Sequence, residues 1–158
     1  MDQSAVGSGA SDSAPLPQAL DAPEYTYAYG ACFPQTGDHD SLILPDMGTE
    51  SMFVFLKEVA KRHRDSYLLL IVDGASCHGS AKLVVPANME ILKLPPYSPD
   101  LNPQENLWDE VREKFFRNTV FKDMQAVEKR LVEALLHLED HPEKIRSITG
   151  WQWILDAI

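Results

Sequence analysis

The chain has 158 residues, enough for one ordinary domain and too few for two full ones. Hydrophobic residues make up 44 % and aromatic residues 9 %, which suffices for a buried core and excludes disorder of the whole chain. The formal net charge is −10, from 14 Lys and Arg against 24 Asp and Glu. Modules that bind duplex DNA commonly carry a basic face, and the chain as a whole lacks that signature.

Targeting and membrane signals are not expected. The longest apolar run, residues 67–72, is far shorter than the roughly 20 residues that span a bilayer. No Lys or Arg precedes Lys57, as a secretory or transit signal would require. Only two cysteines occur, Cys32 and Cys77, so neither a disulfide framework nor a zinc-ligand spacing is indicated. A cytoplasmic location without membrane contact is expected.

The N-terminal part differs in composition from the rest. Residues 1–23 are rich in Ser, Ala, Gly, Asp and Pro, without periodic apolar positions, and are predicted to form a flexible leader. A compact domain is predicted over 24–158. It begins with a β-hairpin: an aromatic-rich strand over 25–33, a turn around Gly37, and a short strand over 41–45.

The middle of the chain alternates helices and strands. A helix is predicted over 49–62, with its first residue as N-cap. The strongest strand covers 67–72, and its continuous apolar run is typical of a central strand that is covered on both faces. It ends at Asp73. A short helical segment around Ala81 and a strand over 89–94 are predicted next.

The last third is predicted to be helical. The segment PPYSPDLNP holds four prolines in nine residues and is predicted to be irregular. Helices are predicted over 103–117, 123–139 and 141–147, from apolar residues recurring at intervals of three and four. The element order predicts an α/β layered domain.

Asp73 is the first candidate for chemistry. Ligands of open α/β sheets bind outside the carboxyl ends of strands, and Asp73 follows the most apolar strand. Alternatively, it caps the turn that follows. His78 is either a solvated turn residue or a partner of a carboxylate or phosphate. Cys77 has no evident base partner, so thiol catalysis is not expected.

The second candidate is the helix start Asn102-Pro103-Gln104-Glu105. Asn102 suits the N-cap, Pro103 suits the first helical position, and Glu105 then completes a capping box without any catalytic role. The proline-rich loop before the helix is stiffer than a helix cap requires. This favours the alternative, in which the loop positions Glu105 for a function.

A divalent cation would explain Asp73 and Glu105 together. Two carboxylates brought into proximity repel each other, and a cation removes that conflict. Oxygen ligands without a nearby Cys or His pair favour Mg²⁺ or Mn²⁺ over Zn²⁺. Two such ions about 3.5–4 Å apart can activate a water or a 3′-hydroxyl and stabilise the leaving oxygen of a phosphodiester.

Two segments carry a family resemblance, LLLIVDGASCHGS and LKLPPYSPDLNPQENLWDEVREKFF. They resemble the second half of a DDE-type transposase of the mariner-like bacterial insertion-sequence superfamily. Residues 25–59 are similar to the part of that family between its first and second catalytic carboxylates, so the resemblance covers about 25–158. It implies a ribonuclease H-like mixed sheet flanked by helices, and DNA cleavage and strand transfer with Mg²⁺ (or Mn²⁺).

The resemblance also implies roles for particular residues. Asp73 would be the second metal-binding carboxylate and Glu105 the third. Asp100 competes for the third place, but it lies in the loop, whereas the family has this carboxylate on the helix. Trp108 is interpreted as a core residue. The implied supporting residues are His78, Asn102 and Asn106.

One part of the family pattern is missing. The family carries its first catalytic Asp on an opening strand, whereas upstream of Tyr25 this chain has only Asp2, Asp12 and Asp21, none in an apolar, strand-like setting. The domain is therefore expected to lack its first strand, in the middle of the sheet, and to be inactive alone. A marginal or aggregation-prone fold is expected unless the leader, water or another chain fills the gap.

Three functional interpretations follow. The leading one is a transposase catalytic-domain fragment, which is either a remnant or is completed by a separate N-terminal half. The complete protein would bind DNA, and the family resemblance implies a homodimer. The alternative is a non-catalytic interaction protein that retains the fold. The third, a complete nuclease, would need an acid from the leader, for which Asp21 is the candidate.

Overall fold

The structure, a computed structural model, describes residues 2–8, 25–74 and 81–158. Its strands form one mixed sheet in the order β3-β2-β1-β4-β5. The strands are β1 (Asp2–Ser8), β2 (Tyr27–Cys32), β3 (His39–Leu44), β4 (Tyr67–Val72) and β5 (Met89–Lys93). The α-helices are α1 (Thr49–Arg62), α2 (Pro103–Val111), α3 (Met124–Glu139), α4 (Pro142–Thr149) and α5 (Gln152–Ala157).

The predicted hairpin and the predicted central strand are confirmed. β2 and β3 pair antiparallel, with the turn at Gly37 in a left-handed conformation (φ +80°) that glycine adopts without steric cost. β4 pairs parallel with both β1 and β5. Of its residues, Leu68, Leu70 and Val72 are buried against one layer of helix, and Ile71 packs in the cluster on the other side. The strand is therefore covered on both faces, as its continuous apolar run predicts.

Strand β1 corrects the expectation for the N-terminal residues. Asp2–Ser8 pair antiparallel with β2 and parallel with β4, at the centre of the sheet. The sheet thus has a strand where a gap was expected, and these residues are not a flexible leader. The rest of the predicted leader, residues 9–23, lies outside the described residues.

The physical reason lies in the backbone. Without β1, the facing N–H and C=O groups of β2 and β4 would be buried and unpaired, at a cost comparable to that of lost hydrogen bonds. Any proline-free segment of suitable length supplies those partners through its own backbone. The sequence DQSAVGS has small and polar residues that carry little strand signal, so pattern analysis alone does not detect it.

Each face of the sheet carries its own hydrophobic cluster. The α1 face is formed by strand residues and by five buried apolar residues of the helix, Met52, Phe55, Leu56, Val59 and Ala60. The α2 face is covered by the remaining helices, which contribute Leu107, Trp108, Leu131, Leu135 and Ile145. Cys32 is buried on this second face, and burial raises the pKa of its thiol to about 12, so it is not a nucleophile.

Several element ends differ from the predictions. Thr49 is the first residue of α1 and not its cap. The N-cap is Gly48, and the Asp46 carboxylate accepts hydrogen bonds from the Gly48 N–H (2.7 Å) and the Ser51 hydroxyl (2.8 Å). Residues 81 and 82 form a turn, while 75–80, the rest of the segment predicted to be helical near Ala81, lie outside the described residues.

The later helices follow the prediction closely. The proline-rich loop includes one 3₁₀ turn, Pro99–Leu101, where only irregular structure was expected. The α-helical part of α2 ends at Val111, and a π-helical turn over Arg112–Phe116 follows it directly. Together they confirm the helix predicted to about residue 117. Within the described ranges, no helix has the length and apolar character needed to cross a membrane.

Candidate active site

The carboxyl end of β4 lies beside the end of β1. Val6 of β1 is paired with Ile71 of β4, so Ser8 and Asp73 each lie two residues beyond that pair. Ser8 is in turn paired with Gly30 of β2. Gly30, Ser8 and Asp73 therefore form a row across three adjacent strands, which we call the cross-strand row.

The first turn of α2 lies directly on this row. A Cβ atom added at Gly30 would lie 2.8 Å from Gln104 Nε2 and 2.9 Å from the Trp108 ring, so the helix approaches β2 as closely as a glycine permits. Trp108 is 5 % exposed, which confirms it as a core residue. Since Glu105 follows Gln104, the structure brings its backbone to the same end of the sheet as Asp73.

Asp73 falls on the face of the sheet that α2 covers. Strand residues alternate between faces, and Ile71 packs in the cluster under α2, so position 73 belongs to the same face. The Leu94 N–H donates to the Val72 carbonyl (2.7 Å), which shows that pairing of β4 continues to its last residue. Asp73 and Glu105 are both half-buried. The two predicted carboxylates therefore share one edge and one face.

Asn102 is the N-cap of α2, as predicted. It is 1 % exposed, and its Oδ1 accepts a hydrogen bond from the Gln104 N–H (3.1 Å). Its own N–H donates to the Pro99 carbonyl (2.9 Å). Capping of α2 thus accounts for Asn102 at this position.

The described part of β1 carries no acid at the cross-strand row. Asp2 is paired with Tyr67 at the opposite end of β4, six residues before Ser8, which corresponds to about 20 Å along a strand. Among the described residues there is no group of three or more His, Cys, Asp and Glu that could hold a metal ion. Asp12 and Asp21 lie outside the described residues.

The other predicted site residues are placed as follows. Asp100 is exposed on the 3₁₀ turn that precedes Asn102, and Asn106 is exposed on α2 beside Glu105. His78 and Cys77 lie outside the described residues. The structure thus brings Asn102 and Asn106 to the start of α2 with Glu105.

One polar pair near the site was missed by the sequence analysis. Gln104 Nε2 lies 3.1 Å from His39 Nε2, and both side chains are buried. Burial lowers the pKa of His39 from 6.5 to about 4, so its ring is neutral near pH 7. Helical spacing could have revealed that Gln104 is buried. Three buried residues of α2 follow it at intervals of three, four and seven positions, so Gln104 lies on the same face of the helix. These residues are Leu107, Trp108 and Val111.

A mixed sheet in this strand order, covered by helices on both faces, is the architecture of a ribonuclease H-like domain. Residues 24–128 match the DDE superfamily endonuclease family. The chain belongs to that family, which confirms the resemblance seen in the sequence.

A relative and two solved structures agree with this assignment. The chain is 38 % identical over 130 residues to the "Uncharacterized protein y4pE/y4sA" of Sinorhizobium fredii (strain NBRC 101917 / NGR234), covering 82 % of this chain and 96 % of that protein. The Mos1 strand transfer complex is similar with a TM-score of 0.58 at 15 % identity, over 94 % of this chain. The match spans only 55 % of the Mos1 chain.

The catalytic core domain of BIV integrase is similar as well, with a TM-score of 0.51 at 14 % identity, over 86 % of this chain and 82 % of that one. At these identities the likenesses show the fold. It is the fold of the catalytic domains of transposases and integrases, and the predicted ribonuclease H-like class is confirmed.

Proposed function

We propose that this chain is the greater part of a transposase catalytic domain, which cleaves and joins DNA only when a third carboxylate is supplied. The observation that carries this proposal is the cross-strand row under α2: Asp73 ends it, Glu105 lies on the helix above it, and the β1 position between Gly30 and Asp73 is Ser8. Asp73 and Glu105 belong to the same edge and face of the sheet, which supports a shared site, and the described part of the neighbouring strand adds no acid.

The donor set suits a hard divalent cation. Asp73 and Glu105 offer carboxylate oxygens, which Mg²⁺ and Mn²⁺ prefer, and no Cys or His of the described residues accompanies them as a soft or borderline ligand set. A bound ion would activate a water or a 3′-hydroxyl toward a phosphodiester. Asn102 supports the site by capping α2, and Asn106 and His78 are proposed to support it from beside the helix and from the turn after β4.

DNA is the proposed partner of the complete protein. With a formal net charge of −10, this chain is poorly suited to hold a polyanion alone. A separate N-terminal half would supply the grip on DNA and the missing acid, and a homodimer would join two DNA ends. Such a DNA substrate would be met in the cytoplasm of a bacterial cell.

The same row favours a second candidate function. A chain that keeps the fold but has Ser8 in place of an acid could serve as a non-catalytic interaction protein. Metal binding separates the two proposals, since an interaction protein has no need of a cation at Asp73 and Glu105.

Restoring the third carboxylate tests the proposal. Ser8→Asp adds an acid to the row, and Ser8→Asn adds a side chain of the same shape without charge. We expect Ser8→Asp to bind Mn²⁺ about tenfold or more tightly than Ser8→Asn, as measured by titration calorimetry. Plasmid nicking with Mn²⁺ should rise above that of the unchanged chain, and mixing with an intact N-terminal half should raise it further.

Two results would contradict the proposal. Adding Asp73→Ala to Ser8→Asp should remove both the metal binding and the nicking, and persistence of either would show that the cation lies elsewhere. Equal Mn²⁺ affinity of the Ser8→Asp and Ser8→Asn variants would favour the interaction protein.

A further inference from the structure

A buried hydrogen bond joins the start of α2 to the start of β3. Gln104 is 0 % exposed and His39 is 4 % exposed, and their side-chain nitrogens lie 3.1 Å apart although the residues are 65 positions apart in the chain. The His39 ring also meets the edge of Trp108, with ring centroids 6.2 Å apart. A polar contact thus lies inside a largely apolar layer, one residue before Glu105.

Stability alone does not account for this pair. Gln104 Oε1 and His39 Nδ1 are both buried without a hydrogen-bond partner in the part of the chain that the structure describes. A buried polar atom without a partner is costly, and two apolar side chains of similar volume would avoid that cost. The pair therefore forms one hydrogen bond and leaves two buried polar atoms, Gln104 Oε1 and His39 Nδ1, without a partner among the described residues.

What a hydrogen bond adds to apolar packing is direction. Apolar contacts are non-directional and set the rotation of a helix about its own axis only through side-chain shape. The Gln104 side chain has one partner on a strand, so it fixes that rotation at the first turn of α2. Because successive residues of an α-helix are about 100° apart, fixing Gln104 also fixes the direction in which Glu105 leaves the helix.

We propose that this bond, the His39–Gln104 latch, is a positioning device that holds the Glu105 carboxylate toward the cross-strand row. The role of Glu105 as a metal ligand rests on the function proposed above, whereas the latch itself rests on the burial and geometry of the two side chains. Gln104 and His39 are assigned as positioning residues, because both side chains are buried and bonded to each other.

Replacing Gln104 by an apolar residue tests the latch. Gln104→Leu and Gln104→Met fill similar volumes without the bond, and at least one should fold with a cooperative melt. The readout is the carboxyl ¹³C resonance of Glu105 in protein labelled at glutamate, identified by its absence from Glu105→Gln. We expect this resonance to shift or broaden in both variants, and the Mn²⁺ affinity to fall about tenfold or more.

Two comparisons separate positioning from a general loss of packing. Thr149 is also a buried polar residue, 0 % exposed, whose hydroxyl donates to the Ile145 carbonyl (2.7 Å) within α4. Thr149→Val should leave the Glu105 resonance and the Mn²⁺ affinity unchanged. The exchanged double variant, His39→Gln with Gln104→His, can re-form a bond between the same positions, and should restore the resonance toward its original place.

The outcomes distinguish the latch from the proposed metal site. An unchanged Glu105 resonance in a folded Gln104→Leu or Gln104→Met variant would overturn the latch, as would an equal shift in Thr149→Val. If the unchanged chain and the Ser8→Asp variant bind no Mn²⁺, the metal proposal fails, while the Glu105 resonance still decides whether the latch exists.

Discussion

The two faces of the sheet are built differently. The α1 face buries an apolar cluster in which one helix supplies Met52, Phe55, Leu56 and Val59. The α2 face buries a cluster of similar size, and also buries polar groups at the carboxyl end of the sheet, namely Asn102, Gln104 and His39. Three atoms of these side chains have no hydrogen-bond partner in the described part of the chain.

The contrast separates two kinds of constraint. Hydrophobic burial accounts for most of the α1 face, because the buried positions of its helix are apolar apart from Ser51 and recur with the helical period. The buried polar residues of this face, Ser51 and Asp40, both have hydrogen-bond partners. On the α2 face, burial alone would favour apolar residues where Gln104 and Asn102 stand. Their presence shows that the start of α2 is held by directional bonds, next to the carboxylates of the candidate site.

The largest expected effect comes from disrupting the central strand β1 of the sheet, on which both faces are built. Val6 of β1 is paired with Cys32 and with Ile71, so Val6→Pro removes a backbone donor from the centre of the sheet. We expect the unchanged chain to melt cooperatively and Val6→Pro to lose that transition and aggregate, as followed by circular dichroism and gel filtration. Val6→Thr keeps the N–H and should melt cooperatively. If Val6→Pro melts like Val6→Thr, β1 does not hold the sheet together.

The difference between β4 and β1 shows what the sequence can and cannot reveal about this fold. Residues 67–72 are almost continuously apolar, so composition alone predicts a strand covered on both faces. Asp2–Ser8 form a strand because two neighbouring strands offer unpaired backbone groups. That requirement is tertiary, and no local pattern in DQSAVGS expresses it.

The polar groups of the α2 face should make stability depend on pH. Burial lowers the pKa of His39 from 6.5 in the unfolded chain to about 4, so the unfolded chain takes up this proton first as the pH falls. The contribution of neutral His39 to the free energy of unfolding is complete above pH 6.5 and is lost as the pH falls from 6.5 to 4. The loss is at most about 3 kcal/mol. Urea unfolding at several pH values measures it.

His39→Leu is the reference for that measurement. Burial, and then the nearby Lys114 charge, also lower the pKa of His137, which contributes with the same sign in both proteins. The pH slope between 6.5 and 4 should therefore be shallower in His39→Leu than in the unchanged chain. Equal slopes would show that His39 is not buried in its neutral form.

A smaller effect is expected from filling the close contact between α2 and β2. Gly30→Ala introduces a Cβ within 2.8–2.9 Å of Gln104 and Trp108, and we expect a loss of about 2 kcal/mol in the free energy of unfolding. Gly74→Ala is the matched control, because no described residue other than its chain neighbours has an atom within 4 Å of the added Cβ. Equal stability of the two variants would mean that α2 does not lie so close to β2.

The candidate site was predictable in part. Asp73 and Glu105 could be proposed from sequence, because a strand end and a helix start are local features that carry recognisable residues. The partnership of His39 with Gln104 could not, since it joins residues 65 positions apart and depends on the register between hairpin and helix. The lack of a first carboxylate was predicted from the sequence, whereas the place of Ser8 beside Asp73 follows only from the pairing of Val6 with Ile71.

The smallest effect is expected at the helix starts, where the two faces differ again. The N-cap of α1 is Gly48, which has no side chain to accept a hydrogen bond, whereas Asn102 caps α2 with its side chain. Asn102→Ala should cost about 1 kcal/mol of unfolding free energy, because the Gln104 N–H loses its acceptor. Asn102→Ser keeps an acceptor oxygen and should recover most of that loss in urea unfolding. If both variants lose the same amount, packing of Asn102 in the α2 face, and not its cap bond, is what stabilises the helix start.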